Sequence, residues 1–325
     1  MERLTTLTYE VTGRIARITL DRPERGNGIT PEMPVELAAC VERADLDPAV
    51  HVIALSGNGT GFCGGYDLVQ SAERLRRGPR PAGADPDPGA EAGSTAAAPY
   101  RWPLRPEGSP LDPRVVARNH DPEEIWDPML DYQMMARNVR GFMSLFHAQK
   151  PVVCKVHGFC VAGGTDMALL SDLLVIADDA KIGYPPARVW GSPTTAVWAF
   201  RVGAERAKRL LFTGDCLSGR EAVAWGLAVE SAPPERLDER FENLLARIAR
   251  VPVNQLIMMK LLVNQTLLSA GLPGVQVLGT VFDGIARHTR EGYTFQRRAA
   301  EVGFREAVRE RDEPFGDFGR SAFKG

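Results

Sequence analysis

GFCGGYDL at residues 61–68 and VHGFCVAGGTDM at residues 156–167 are the two stretches that constrain the fold of this sequence most strongly. Each follows a short apolar run with the character of a buried strand, at residues 50–56 and 151–156. Glycine allows sharp backbone turns and leaves amide groups uncovered. The second stretch leads into a predicted helix, whose first N–H groups favour negative charge. A unit of strand, glycine-rich turn and helix is therefore predicted twice, although a single turn of this kind more often serves only packing.

The flanking sequence predicts further strands and helices. Residues 7–20 alternate between apolar and polar side chains around a Thr-Gly turn, which predicts a β-hairpin. Thr30 followed by Pro31 predicts the N-cap and first residue of a helix. A second series begins near Asp127 with a helix that runs through Phe146, and it ends in a strand at residues 173–177. Short strands followed by helices predict an α/β core.

We expect this α/β core to span residues 1–202 and a C-terminal helical region to span residues 203–325. Everything after Gly203 is helical in pattern, notably residues 235–250 and 253–268. Residues 72–119 interrupt the core with a stretch rich in Pro, Gly and Ala and poor in large apolar side chains. They are predicted to form a surface insertion, either as a lid over a site or as a loop without a function of its own.

Composition excludes several classes of function. With 39 basic and 41 acidic side chains, the net charge of −2 provides no global attraction for nucleic acid or anionic membranes. The five cysteines are odd in number and include no CxxC pair, so we expect neither a disulfide framework nor a metal centre. The N-terminus lacks the pattern of a signal peptide, and no apolar run approaches the roughly 20 residues of a membrane span. These features predict a cytoplasmic protein.

The two glycine-rich stretches, in this order and spacing, resemble those of the crotonase (enoyl-CoA hydratase/isomerase) superfamily, which have the forms FCAGxDL and NGxxxGGGxELA. LDRPERGNG at residues 20–28 resembles the family's LNRPxxxNA, and SDLLVIA at residues 171–177 resembles its CDxxIA. The stretch from Phe212 to Leu227 resembles its FTGxxxxAxxAxxxGL. The likeness covers most of the chain outside the insertion.

This resemblance implies a spiral of repeated ββα units followed by C-terminal helices that join the subunits. Crotonases commonly form homotrimers, and trimers often pair into hexamers, so either assembly is expected. Two apolar stripes in the C-terminal helices are predicted to be buried in the core or at a subunit contact: Leu256, Met259 and Val263, then Val275, Leu278 and Phe282.

The resemblance also implies an oxyanion hole. In crotonases, two backbone amides bind the thioester oxygen of an acyl-CoA, and these amides correspond to Tyr66 and Gly163. Such donors stabilise a developing enolate, and removal of one donor from an oxyanion hole typically costs about 10²–10³ in rate. Coenzyme A would enter as part of the substrate, so no separate cofactor is expected.

Five residues are implied to contact the CoA part of the substrate. Arg22 and Arg25 lie in the loop that resembles LNRPxxxN, Gly65 and Asp67 flank Tyr66, and Lys260 resembles a lysine near the CoA phosphate. The two arginines could equally be solvated loop residues.

The acid–base groups depart from the family pattern. A hydratase resembling this chain would carry glutamate at two positions. Asp166 occupies the first and is the predicted acid–base group, although a carboxylate there could merely complement the helix dipole. The second position is Pro186, which can neither donate nor accept a proton.

Several side chains could replace the missing second acid. Tyr184 could donate a phenolic proton, and a carboxylate before or within the helix near residue 127 could reach over the site; those carboxylates are Glu123, Glu124, Asp127 and Asp131. His157 stands where the family has Asn and is predicted to be structural. His147, near a helix end, is predicted to be a capping or surface residue.

The sequence thus indicates an acyl-CoA enzyme that hydrates, dehydrates or isomerises an enoyl-CoA with Asp166 as acid–base group. Two alternatives remain open at this stage. One is a thioester or C–C hydrolase of the same fold, in which Asp166 activates water or acts as nucleophile. The other is a protein that binds acyl-CoA without converting it.

Overall fold

The computed structural model describes residues 1–68 and 105–316. The strands are β1 (Glu2–Arg3), β2 (Leu7–Thr12), β3 (Ile15–Leu20), β4 (Val52–Gly57), β5 (Val152–Val156), β6 (Phe159–Val161), β7 (Leu173–Ala177), β8 (Lys181–Gly183), β9 (Cys216–Ser218) and β10 (Glu230–Ala232). They form a seven-stranded sheet of order β1-β2-β3-β4-β5-β7-β10 and a three-stranded sheet of order β6-β8-β9.

The large sheet changes from antiparallel to parallel pairing at β3. The hairpin β2–β3 is antiparallel, whereas β3–β4, β4–β5, β5–β7 and β7–β10 are parallel. Strand β5 carries the continuous apolar run VVCKV with only Lys155 less than fully buried. Such a run is typical of a parallel strand covered on both faces. The core of the protein therefore lies on both sides of the β4–β5–β7 centre.

Twelve α-helices of the described residues surround the sheets. They are α1 (Met33–Leu46), α2 (Pro113–Asn119), α3 (Pro128–His147), α4 (Gly163–Ala168), α5 (Trp198–Val202), α6 (Ala204–Thr213), α7 (Gly219–Ala224), α8 (Pro234–Ile248), α9 (Val253–Ser269), α10 (Leu272–Arg287), α11 (Arg290–Val302) and α12 (Phe304–Asp312). Helix α3 packs on α1 at one side and on α10 at the other.

Most predicted elements of the core are confirmed, and one helix start is wrong. The hairpin, the strands at β4, β5 and β7, and the long helix α3 lie where the sequence predicted them. Helix α1 begins at Met33 and not after Thr30, whose hydroxyl has no hydrogen-bond partner among the described residues. The later start puts Pro34 in the first turn, where a missing N–H breaks no helical hydrogen bond.

The prediction that everything after Gly203 is helical is also wrong. Strand β9 pairs with β8, and strand β10 adds an edge to the large sheet beside β7. Each of these strands has only three residues, too few for an alternating pattern to stand out from the flanking helices. Of the predicted insertion, residues 72–104 lie outside the described residues, and residues 105–119 contain helix α2, capped by Asp112.

The apolar stripes of the C-terminal helices are largely exposed in the single chain. Met259 and Val263 of α9 are 46% and 63% exposed, and Leu278 and Phe282 of α10 are each 49% exposed. They are therefore not part of the core of this chain, and burial in a trimer or hexamer stays a prediction. No single helix of the described residues is long and apolar enough to cross a bilayer. Helices α9 and α10 together pass on length and composition, but they meet at a bend of 60°.

The crossing of α1 and α3 yields a test of the fold. A Cβ at Gly141 would lie 2.5 Å from both the Cβ and the carbonyl oxygen of Pro34. Gly141→Ala must therefore push the two helices apart, and we expect it to lower the free energy of unfolding by about 1–3 kcal/mol, measured as a fall in Tm. Gly274→Ala is the matched control, because no atom lies within 4 Å of a Cβ there and alanine favours the helix. An equal fall in both variants would contradict the packing argument.

Candidate active site

The two glycine-rich stretches lie side by side. Cys63 and Cys160 form a parallel bridge, in which the Val161 amide donates to the Cys63 carbonyl at 3.0 Å and the Cys63 amide donates to the Phe159 carbonyl at 3.2 Å. The chain arrives at this point from β4 on one side and from β5 through β6 on the other. The parallel sheet thus delivers both stretches to the same place.

Glycine is required where the two backbones touch. A Cβ at Gly164 would lie 2.6 Å from the Cys63 carbonyl oxygen, which no side chain tolerates. Gly65 has a φ of +96°, and a Cβ there would lie 2.8 Å from that of Ala162. Ala162 itself has φ +53° and ψ −130°, a strained conformation for a residue with a side chain. This backbone conformation of Ala162 sets the direction of the next amide, that of Gly163.

The Tyr66 and Gly163 amides point away from their neighbouring segments. Ile29 pairs with this stretch by donating to the Gly65 carbonyl at 2.9 Å and accepting from the Asp67 amide at 3.0 Å, so the N–H of Tyr66 points away from Ile29. Gly163 is the first residue of α4, where a helix leaves its N–H groups unpaired. Among the described residues, neither amide has a hydrogen-bond acceptor. A Cβ at Gly163 would lie 2.9 Å from the Tyr66 ring, so the two residues are in contact.

Asp166 lies one turn after the Gly163 amide and is 1% exposed. Its carboxylate accepts from the Thr195 hydroxyl at 2.6 Å, the Thr195 amide at 3.2 Å and the Thr194 hydroxyl at 3.1 Å. Burial raises the pKa of Asp166 to about 6, against the hydrogen bonds from Thr195 and Thr194, which lower it. A carboxyl group with this pKa exchanges its proton near neutral pH, as an acid–base group must.

A second buried carboxylate, that of Asp283, lies on the helix that packs against this segment. Helix α10 contacts the segment that holds Asp166: a Cβ at Gly279 would lie 2.8 Å from the Pro193 carbonyl oxygen, and the Thr280 hydroxyl lies 3.5 Å from the Thr194 carbonyl. Asp283 follows Gly279 by one turn and is 5% exposed. Its negative charge adds to the raised pKa of Asp166, of which burial is the main cause.

The charge on Asp283 is balanced by Arg287, whose guanidinium lies 2.6 Å from its carboxylate. Burial raises the pKa of Asp283, while Arg287 and the amide of Ser192 lower it. Asp283 was not among the residues expected from the sequence, although a signal was present. Polar residues recur at helical spacing on α10, and they mark its buried face: Gln276, Thr280, Asp283 and Arg287.

None of the four carboxylates that the sequence suggested as a second acid has a described contact with Asp166. Glu123 and Glu124 are exposed, and Asp127 caps the start of α3 by accepting from the Met129 amide. Asp131 is buried but binds His288, Asn119 and Trp126.

Tyr184 lies in the same buried region as Asp166, and its hydroxyl donates to the Ser192 carbonyl at 2.8 Å. Burial and the charges of Asp166 and Asp283 raise its pKa well above the ordinary value, so it stays a neutral phenol. Pro186 lies beside it, against Gly191.

Two further polar atoms in this region have no hydrogen-bond partner within the described part of the chain. They are the Tyr66 hydroxyl oxygen and the Asn138 side-chain oxygen, both buried. Burial and the charges of Asp166 and Asp283 raise the pKa of Tyr66 well above its ordinary value, so its phenol also stays neutral. Buried polar atoms are normally paired. The Asn138 side chain also lies close enough to the Tyr66 phenol to lower its pKa.

Four of the five predicted CoA contacts lie close together in the loops beside Tyr66. Arg22 lies 2.9 Å from Asp67 and also binds the Gly28 carbonyl, so this pair shapes the loop beside Tyr66. Arg25 is more exposed and lies 3.7 Å from Asp67. Gly65 supports the oxyanion stretch through its backbone conformation and its bond to Ile29. For Arg22, Arg25, Gly65 and Asp67, contact with CoA stays a prediction.

Lys260 does not fit the predicted phosphate contact in this structure. Its ammonium group is buried and donates to the carbonyls of Leu145 and Lys150 at 3.0 and 3.1 Å, and it lies 2.8 Å from the Asp172 carboxylate. All three N–H groups are thereby used inside the chain. The lysine therefore links α9 to the end of α3 and to Asp172, the residue that precedes β7, and it stabilises the packing of these elements.

The two histidines near the site behave as the sequence indicated. A ring nitrogen of His157 lies 2.9 Å from the Gly59 carbonyl oxygen, so the residue fixes the loop before the first glycine-rich stretch. His147 is exposed at the last position of α3. Neither has a described contact with Asp166.

Comparison with known proteins agrees with this geometry. The profile of the enoyl-CoA hydratase/isomerase family matches residues 10–82 and 120–296. A crystal structure of an enoyl-CoA hydratase from Mycobacterium smegmatis is 54% identical, covers 99% of this chain and 98% of its own, and superposes with a TM-score of 0.86.

Two curated proteins are more distant. EchA13 of Mycobacterium tuberculosis is 31% identical over 80% of this chain and 73% of its own length. The 1,2-epoxyphenylacetyl-CoA isomerase of Escherichia coli is 27% identical over 77% of this chain and 78% of its own. On its two converging glycine-rich stretches, its fold and these matches, the chain belongs to the enoyl-CoA hydratase/isomerase family of crotonase-fold enzymes.

Proposed function

We propose that the enzyme catalyses the reversible addition of water to the double bond of an enoyl-CoA. The observation that carries this proposal is a second buried carboxylate: Asp283 lies on α10, the helix that contacts the segment binding Asp166, although the family's second glutamate position is Pro186. Water addition needs one group that takes a proton from water and one that supplies a proton to carbon. The chain offers a carboxyl group for each step.

The amides of Tyr66 and Gly163 would stabilise the charge that develops during this reaction. When the water oxygen bonds to the β-carbon, the electron pair of the double bond moves toward the thioester carbonyl and forms an enolate. Donors that are fixed in a dry site before the reaction stabilise such an oxyanion by several kcal/mol. The strain at Ala162 and the absence of acceptors for both amides support this role.

The surroundings of the two carboxylates favour different roles. Arg287 at 2.6 Å favours the ionised form of Asp283, which is the form that accepts a proton from water. Asp166 has no comparable cation, and its pKa of about 6 suits a group that delivers a proton to the α-carbon. Protons and charge then balance, since Asp283 gains the proton that Asp166 loses. A return of the proton through solvent resets the site.

The reaction can be tested with a panel of 2-enoyl-CoA substrates in water labelled with heavy oxygen, followed by mass spectrometry. The proposal predicts a 3-hydroxyacyl-CoA that carries one labelled oxygen. A product of unchanged elemental composition would show a double-bond shift instead, and release of free CoA thiol would show thioester hydrolysis. Binding of every acyl-CoA without conversion of any would leave only the non-catalytic alternative.

Asp166→Asn and Asp283→Asn test the two carboxylates. Each substitution keeps the size of the side chain but removes its ability to exchange a proton, so we expect kcat to fall by about 10²–10⁴. Affinity for a saturated acyl-CoA, which cannot react, should change little. Glu123→Gln, an exposed acid that the sequence also offered, is the control and should keep wild-type activity. Asp283→Asn activity within threefold of wild type would remove Asp283 from the mechanism without affecting the argument for Asp166.

Thr195→Val tests the acid–base role through pH. The Thr195 hydroxyl stabilises the charged form of Asp166, so its removal must raise the pKa of Asp166 above about 6. If Asp166 acts as the acid, kcat/KM for hydration falls as pH rises through this pKa, and kcat/KM for dehydration rises. In Thr195→Val, the fall of kcat/KM for hydration and the rise of kcat/KM for dehydration, the two limbs of the pH profile, should both move to higher pH by roughly 1 unit.

The matched control is Thr280→Val, because the Thr280 hydroxyl donates to the Gln276 carbonyl at 2.7 Å and has no described bond to Asp166. Its pH profile should match that of the wild type. A shift of the Thr195→Val limbs to lower pH would contradict the assignment of the limb to Asp166.

A further inference from the structure

A cluster of two histidines and one aspartate lies between three segments that are distant in sequence. His120 follows α2, Asp131 lies in the first turn of α3, and His288 follows the last residue of α10. The Asp131 carboxylate is 1% exposed. One of its oxygens accepts from the His288 ring at 2.9 Å, and its other oxygen lies 3.8 Å from the Nε2 of His120.

Both histidines are held by their outer ring nitrogens. The Nδ1 of His120 lies 2.9 Å from the Val116 carbonyl oxygen, and the Nδ1 of His288 lies 2.8 Å from the Tyr293 hydroxyl. Because a carbonyl can only accept, the Nδ1 of His120 carries the proton, and the Nε2 of the neutral ring presents a lone pair toward Asp131. For His120, a hydrogen bond that fixes the outer nitrogen and leaves the inner nitrogen free is the arrangement found in metal-binding histidines. The inner nitrogen of His288 donates to Asp131, so an ion must displace this bond. The ring proton then lies on Nδ1, which can donate to the Tyr293 hydroxyl.

We propose that His120, Asp131 and His288 bind a divalent transition-metal ion such as Zn²⁺. One ligand atom from each residue lies within 4.8 Å of the other two. Tetrahedral zinc with bonds of about 2.0–2.2 Å brings its ligand atoms to about 3.4 Å from one another, so binding requires a contraction of roughly 1 Å. Two imidazoles and one carboxylate suit zinc or cobalt, whereas magnesium and calcium prefer oxygen ligands.

A small cavity of about 10 Å³ adjoins His120 and Asp131, but most of its lining is apolar: Pro110, Val115, Val116, Leu130 and Met134. A buried water needs two or more polar partners, so this cavity does not supply a fourth ligand. The expectation of no metal centre rested on cysteine count and local spacing, which cannot reveal ligands contributed by three separate segments.

The proposal does not depend on the reaction of the enzyme, because a bound ion would join the chain before α3 to the end of α10. Its first readout is direct binding. Protein without a histidine tag, treated with chelator and dialysed, is titrated with Zn²⁺ by calorimetry, and its Tm is measured with and without the ion. We expect one ion per chain and a rise in Tm, since a ligand that binds only the folded state stabilises it. Co²⁺ should give the visible absorption of a tetrahedral site.

His120→Asn and Asp131→Asn should each weaken Zn²⁺ binding at least tenfold. His120→Asn is the more informative variant, because the inner nitrogen of His120 makes no hydrogen bond at 3.8 Å and its removal should leave the fold intact by circular dichroism. His147→Asn, on the exposed end of α3, is the matched control and should bind as the wild type does. The proposal is overturned if the wild-type protein takes up no Zn²⁺ in the micromolar range, or if His147→Asn loses as much affinity as His120→Asn.

Discussion

The contact between the backbones of residues 63–66 and 160–164 is the constraint on which the rest of the structure depends. Where these two backbone segments meet, a Cβ at position 164 would lie 2.6 Å from the Cys63 carbonyl oxygen. Only glycine permits this approach, and only the parallel sheet brings β4 and β5 to it side by side. The same contact turns the amides of Tyr66 and Gly163 away from internal partners. Packing and chemistry therefore impose the same residues at these positions.

A second level of organisation is the burial of charge around the segment that contains Thr194 and Thr195. This segment binds Asp166 directly and contacts α10, the helix that carries Asp283. Two carboxylates in one water-poor region would repel each other and return to their neutral forms. The ion pair of Asp283 with Arg287 offsets this repulsion, while burial is the main cause of the raised pKa of Asp166. A helix more than a hundred residues later in the chain thus contributes to the electrostatics around Asp166.

The parts of the molecule that sequence could predict are those with local signals. Apolar periodicity predicted β4, β5, β7 and α3. The resemblance of the glycine-rich stretches implied the amides of Tyr66 and Gly163, whose role stays a prediction. Polar residues at helical spacing marked one face of α10, but nothing in a single helix shows that this face meets the segment at residues 193–195. The short strand β10 was missed for a related reason: its pairing with β7 depends on neighbours far along the chain. For Lys260 the resemblance implied a CoA contact, which stays a prediction, while the structure shows its ammonium group paired inside the chain.

The position of α10 also has a consequence for what removal of the C-terminal helices would change. Helix α10 begins at Leu272, more than a hundred residues after Asp166. Without this helix the segment at residues 193–195 would lose its cover, and water could reach the Asp166 carboxylate. Desolvation, the main cause of its raised pKa, would then be weaker. The ionisation of a carboxylate in the middle of the chain thus depends on a helix encoded far downstream of it.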